Sequence, residues 1–218
     1  VRWLRAAGAA PFIIPGMGSH GGATPAGQTE VLATYGITAE ALGVPVRASL
    51  DVRRIGTSEQ GVPVFCSEEA LAADGIVIVN RVKPHTDFFS DTLGSGLLKM
   101  CVVGLGKRTG AAAMHGAAMR IGYETAIRGI AEVIEREAPL LAGVAIVEDQ
   151  HHATRLLRVV PRGRFAEEEA ILLTEARRLL PLLPFEEIDL LVVDRLGKNI
   201  SGAGLDPNVI GRAVHGTR

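Results

Sequence analysis

Two cysteines, Cys66 and Cys101, are all that 218 residues carry, and both sit in apolar company. They are too few for a disulfide framework and lack the paired spacing of a zinc or iron–sulfur site, so a reducing compartment, the cytoplasm, is expected. Charge of one sign is also missing: the formal net charge is -1 and the isoelectric point is near 6.7. Nucleic acid and anionic membrane surfaces favour a basic face, so neither is an expected partner and small molecules are. No apolar run reaches the roughly 18 residues of a membrane span, and the N-terminus has no charged-then-apolar signal pattern. Internal repeats, low-complexity tracts and long linkers are absent too. The opening "VRWLRAAGAAPFII" has no initiator methionine and runs from a helix-like segment straight into a strand, which reads as a piece of a longer chain.

What is present is apolar content, at 47%, enough for a real core. Short β-branched runs alternate with longer segments of helical period, the signature of an α/β fold with mixed or mostly parallel sheets flanked by helices. Strands are expected at Pro11 to Pro15, Val62 to Cys66, Gly75 to Asn80, Leu141 to Val147 and Ile188 to Val193, with Val44 to Arg54 extended. Helices are expected at Met119 to Glu137 and Phe165 to Leu180, where apolar residues recur every three or four positions, and a short one in "GITAEALG". The polar, basic stretch "EDQHHATRLLRVVPRGRF" marks a boundary between residues 1–150 and the start of a second α/β domain at 151–218. Its "HATRLLRVV" reads equally well as an edge strand of the same sheet.

Ligands of open α/β folds collect beyond the carboxyl ends of strands, so the polar residues that follow each apolar run are the candidates. "PFIIP" leads into "GMGSHGGAT", which places His20 among glycines. "GIVIVN" leads into "RVKPH" and His85; "DLLVVD" leads into "RLGKNISGAG" and Lys198; His115 lies in "GAAAMHGAAM". Taken singly, each has a plain structural explanation: a turn histidine, a helix-packing histidine, a solvated lysine. His151, His152 and His215 read as surface residues. Together, two histidines that titrate near neutral pH can act as acid and base on opposite faces of one substrate, the arrangement that racemisation or epimerisation needs.

Two other chemistries were weighed. "GLGKRTG" resembles part of a P-loop, but Cys101 stands where the first glycine belongs and Arg108 where Ser or Thr belongs, which excludes a nucleotide triphosphatase. Gly104, Gly106, Lys107 and Arg108 remain able to cradle a single phosphate, on equal terms with a plain turn before a helix. The histidines also suit a zinc-dependent hydrolase, with Asp87 or Asp91 as its base, although none has a recognisable ligand spacing.

The order "GMGSHGGAT", "NRVKPHTDFFSDTLGSGLLKM", "MHG", "LGKNISGAG" resembles the nickel-dependent lactate racemase family of 2-hydroxyacid racemases and epimerases, from about Pro11 to Gly204. The resemblance implies that His20 and His85 are the acid/base pair. Lys99, after the small-residue turn of Gly94, Ser95 and Gly96, would hold a nickel-pincer nucleotide covalently through a thioamide. His115 would complete the nickel coordination, and Lys198 would neutralise the substrate carboxylate. It makes residues 1–150 the cofactor-binding domain and implies a small 2-hydroxy acid, cofactor-maturation enzymes as partners, and compatibility with a homo-oligomer. A covalent lysine anchor and a nickel held by soft sulfur and one imidazole are both chemically reasonable.

The chain departs from that family in two ways. The upstream Asp-x-Thr-Arg segment has no counterpart, and "DFFSD", between Asp87 and Asp91, is longer than the family's tight glycine-rich turn, which points away from lactate itself. "VNRVKPHT" followed by "GSGLLKMCVVGLG" also resembles uncharacterised iron–sulfur-associated proteins, and a non-catalytic small-ligand protein stays open beside these. The racemase reading expects His20, His85, Lys99 and His115 to meet in one cleft.

Overall fold

A computed structural model describes residues 1–86, 88–197 and 204–211. In chain order its elements are α1 (Arg2–Ala6), α2 (Pro25–Thr34), α3 (Ala39–Leu42), β1 (Val52–Thr57), β2 (Pro63–Ser67), α4 (Glu68–Leu71), β3 (Ile76–Arg81) and α5 (Leu97–Lys99). They continue with α6 (Leu105–Ile121), α7 (Tyr123–Glu137), β4 (Leu140–Glu148), β5 (Thr154–Pro161), α8 (Phe165–Arg178) and α9 (Pro207–Ile210). A π-helical turn, Met100–Gly104, joins α5 to α6. The fold is α/β, with a two-stranded sheet β1-β2 and a three-stranded sheet in the order β3-β4-β5. The chain forms two compact units, Val1–Ile78 with Leu98–Ala142, and Val79–Leu97 with Gly143–Arg218. Residues 79–97 thus group with the chain from Gly143 onward.

In the first unit β1 and β2 pair antiparallel, from Val52↔Ser67 to Thr57↔Pro63, with a bulge between Arg54 and Gly56. A Cβ at Gly56 would lie 2.8 Å from Val133 Cγ1, so the missing side chain lets α7 close onto the hairpin. Ile127, Ile130, Ala131 and Ile134 give α7 a buried stripe at steps of three and four. Each buried isoleucine contributes about 1.5–3 kcal/mol relative to exposure. On its outer side Glu124 and Arg128 pair at 2.8 Å, one turn apart.

Two expectations are corrected here. The helix read over Met119 to Glu137 is divided: α6 ends at Ile121 and α7 starts at Tyr123, because Gly122 takes φ 82 and ψ 153, a conformation that glycine alone tolerates cheaply. The strand read at Pro11 to Pro15 shrinks to one parallel bridge, Ile13↔Val46, made by Ile13 N–H to Pro45 O and Arg47 N–H to Ile13 O, both 2.8 Å. Proline at both ends of that run supplies no N–H, so the ladder cannot extend.

Strands β3 and β4 each begin in the first unit and end in the second. Ile76 N–H bonds to Pro139 O and, further along, Val82 N–H bonds to Ile146 O, so the two strands run parallel. A parallel pair needs a long crossover, which α5 to α7 provide. In the second unit β4 turns back into β5 at Asp149, whose Oδ1 accepts from the backbone N–H groups of His151 and Ala153 at 2.8 and 3.1 Å. "HATRLLRVV" is therefore an edge strand, and both His151 and His152 are exposed on its turn. Helix α8 buries Phe165, Leu172, Leu173 and Ala176.

The expected strand at Ile188 to Val193 is irregular chain. Leu190 and Val192 are 80% and 78% exposed, and an apolar β-branched run without a neighbouring strand to pair with does not become sheet. No helix among the described residues is long and apolar enough to cross a membrane.

Candidate functional site

The glycine-rich loop after Pro15 is seated in an elbow. The helical segment that opens with α5 is interrupted at Lys107, whose backbone leaves helical geometry at φ 53 and ψ -155, so Met100–Gly104 and the body of α6 form two arms. A Cβ on Gly16 would stand 2.6 Å from Met100 Sδ, and one on Gly104 would stand 3.2 Å from Gly16 O. A Cβ on Gly18 would meet Val103 Cγ1 at 2.6 Å and Ala111 Cβ at 3.5 Å, so the loop touches residues on both sides of the kink. Glycine is required for that closeness. Lys99 immediately precedes Met100 on one arm, and His115 follows Ala111 by four residues, one turn along the other.

Lys107 stands at the corner. It is fully buried, and its Nζ donates to Pro15 O at 2.8 Å, the carbonyl from which the loop departs. Burial pulls its pKa down to about 8, while the neighbouring Cys66 and Glu69 work in the opposite direction. A left-handed non-glycine residue costs of order 1–3 kcal/mol, and π-helical turns often mark functional sites. The phosphate cradle expected of Gly104, Gly106, Lys107 and Arg108 is corrected: Lys107 is enclosed and committed to Pro15, Gly104 packs against the Met100 side chain and Gly16 O, and Gly106 faces Phe65 O. Only Arg108 of that set is exposed.

The other end of the loop is held by Gln28 of α2, which is also fully buried. Its Nε2 donates to Gly18 O at 2.9 Å and to His20 O at 3.3 Å. Two carbonyl acceptors fix the orientation of the amide, and Oε1 is left buried with no partner. Helix α2 is itself started by Thr24, whose Oγ1 accepts from Gly27 N–H at 3.1 Å, with Pro25 in the first helical position. His20, between Gly18 and this helix, is exposed.

Lys99 is half-buried at the end of α5, and His115 is exposed with its ring edge-on to Tyr123 at 6.0 Å. Lys99 is thus less enclosed than Lys107, and His115 lies at the surface. Among the described residues no three His, Cys, Asp or Glu side chains stand together as metal ligands. A nickel group that brings sulfur and carbon donors of its own would ask only one imidazole of the protein, and His115 would be the residue to supply it. The zinc hydrolase asks for three, and among the described residues it lacks them.

The second unit carries His85, half-buried, with its ring stacked on Phe88 at 4.4 Å and 18°. Asn208 Nδ2 donates to His85 O at 3.2 Å. A cavity of about 170 Å³ opens here, lined by His85, Phe88, Phe89, Arg177 and Leu182 among others. Arg177 of α8 anchors the stretch that follows His85: its guanidinium donates to Ser90 O, reaches Asp91 Oδ1 at 3.2 Å and lies 5.2 Å over the Phe89 ring. Ser90 Oγ then accepts from Thr92 and Leu93 N–H, closing the turn.

In the small-residue turn, Ser95 exchanges both backbone bonds with Lys83, at 2.7 and 2.9 Å, and Asn80 Nδ2 donates to Gly96 O at 2.9 Å. A Cβ on Gly94 would lie 2.4 Å from Lys83 O, and one on Gly96 would lie 2.3 to 2.5 Å from the Glu169 carboxyl. The smallness of this turn therefore serves protein neighbours.

Comparison with known proteins supports the architecture. No protein-family model and no curated protein sequence matches this chain. Solved structures do match, among them the lactate racemase apoprotein from Thermoanaerobacterium thermosaccharolyticum, at 16% identity and a TM-score of 0.51, over 66% of this chain and 36% of that chain. A likeness at that identity shows the fold, and this chain spans about a third of that protein's length.

The expected site residues are thus distributed. The first unit holds His20, Lys99 and His115, and the second holds His85. Lys198, Asp87 and His215 lie outside the described residues. Sequence reading missed Gln28, Glu169 and Arg177, and it read Lys107 as part of a phosphate cradle or a plain turn. The one available signal was the position of Lys107 between glycines in "GLGKRTG", where a long side chain has to find room among close backbones.

Proposed function

We propose that this chain is part of a 2-hydroxyacid racemase or epimerase of the nickel-pincer type. The observation that carries the reading is the seating of the His20 loop in the elbow whose arms bear Lys99 and His115. The agreement of motif order with the racemase family, and of fold with the lactate racemase apoprotein, adds to it.

In this reading Lys99 holds the group covalently and His115 ligates its nickel. When bound, the group supplies a reversible acceptor for the substrate's α-hydrogen and its electron pair. His20 or His85 takes the hydroxyl proton as the C–H bond breaks, leaving a planar carbonyl. The other histidine returns a proton when hydrogen is delivered to the opposite face. Imidazole is suited to both directions because its two forms are close in energy near neutral pH. Lys198 receives the carboxylate as its counter-ion, and the partners are the hydroxy acid and the enzymes that build the group.

The reading is tested by interconversion of 2-hydroxy acid enantiomers, using protein produced together with the maturation enzymes. H20N and H85N should each lower kcat by about 10² to 10⁴, the usual contribution of a general acid or base. Interconversion at the wild-type rate in both variants would remove the acid/base assignment.

A further inference from the structure

We propose that Lys107 is a positioning residue, the tether that sets where the His20 loop lies in the elbow. The inference rests on the reading of His20 as an acid/base group, although its structural part stands apart from any chemistry.

Several unfavourable features coincide at this residue. Its ammonium is fully removed from solvent, a burial that charged side chains resist without a compensating partner. Its backbone takes a positive φ that breaks α6, three residues after the π-helical turn ends at Gly104. Its nitrogen is directed to one carbonyl, Pro15 O at 2.8 Å. A methionine would fill similar volume with no charge to desolvate, so packing alone does not account for lysine here. What these features share is the root of the loop. Pro15 follows the single bridge at Ile13 and precedes Gly16 and Gly18, which touch the two arms of the elbow.

Gln28 supplies the complementary restraint. It grips Gly18 O and His20 O from the other side, so the segment between is fixed at both ends and His20 remains exposed at its tip. A histidine that must meet a substrate proton within hydrogen-bond reach needs such a fixed base. Lys107 itself touches no reactant, since it is enclosed on every side.

The test uses K107M in the full chain and reads hydrogen exchange of the amides of residues 16–22. Exchange there is expected to rise about tenfold or more, while amides of α7 keep their wild-type protection. In protein bearing the group, kcat is expected to fall about tenfold or more with KM within about twofold, because the tether orients an acid/base group and binds no substrate. If K107M does not fold, K107Q replaces it: its donor ends one bond short of Pro15 O, and the same rise in loop exchange is expected. Wild-type exchange over residues 16–22 in a folded variant overturns the proposal. Raised exchange with no change in kcat overturns the link to catalysis. Failure of the wild-type protein to interconvert enantiomers sinks the racemase reading, and the exchange result then still decides whether the tether exists.

Discussion

Lys107 Nζ and the carbonyl oxygen of Pro15 lie 2.8 Å apart, joining residues 92 positions distant in sequence inside one compact unit. That bond sits where the glycine loop enters the elbow between Met100–Gly104 and α6, and it bears on stability as well as on geometry.

The folded pKa of Lys107 is lowered from 10.5 to about 8, chiefly by burial. The unfolded chain therefore binds more protons between those values, and stability from this group rises with pH across that window. The penalty is fully present below pH 8 and is relieved as pH approaches 10.5. Its size is about 3 kcal/mol. Urea denaturation from pH 7 to 9, below the range in which Cys66 opposes it, should show a steeper rise in the wild type than in K107M. A wild-type profile that falls across the same range would contradict the buried-ammonium account.

Cys66 is fully buried beside the same lysine, and burial pushes its thiol up to about 11. The thiolate is the reactive species, so native Cys66 should resist iodoacetamide at pH 8 and react only as the chain unfolds. Mass spectrometry over a denaturant series checks this. Rapid native alkylation of Cys66 would show that the β2 region is open.

Gly96 offers a test of the small-residue turn. Adding a Cβ there brings it within 2.3 to 2.5 Å of the buried Glu169 carboxyl, and Glu169 has no open space to retreat into. G96A should cost about 1–3 kcal/mol by overpacking. The double variant G96A/E169A should not show additive losses, because truncating Glu169 removes the collision; strictly additive losses would mean that the contact is not real.

Arg177 and Asp91 separate two contributions to the stretch after His85. Asp91 is 80% exposed, so its ion pair with Arg177 is screened and D91A should change stability by less than about 0.5 kcal/mol. R177A also removes the donor to Ser90 O and the contact with Phe89, and should cost about 1–2 kcal/mol. Thermal melts of the two variants compare these losses. Equal losses would place the anchoring in the ion pair after all.

Periodicity made much of the fold legible. Ile127, Ile130, Ala131 and Ile134 announce α7, and Leu172, Leu173 and Ala176 announce α8, since a buried stripe at helical steps is written in the residues that form it. Where tertiary partners decide, sequence was a poor guide. Ile188 to Val193 has the composition of a strand but no neighbour to pair with, and Pro11 and Pro15 reduce an apolar run to one bridge. The loop of His20 was legible as a closely packed one because its glycines allow close approach. What they approach, the elbow and its buried lysine, was not: only the glycines around Lys107 hinted at an enclosed side chain, and nothing local tells a buried Glu169 from a solvated one.

The most direct test of the central claim is the intact mass of the protein produced with the cofactor-maturation enzymes, followed by peptide mapping. The account predicts a nucleotide-sized adduct on the peptide containing Lys99, lost in K99A and retained in K107M. Unmodified Lys99, in cells where a known lactate racemase becomes fully loaded, would contradict it.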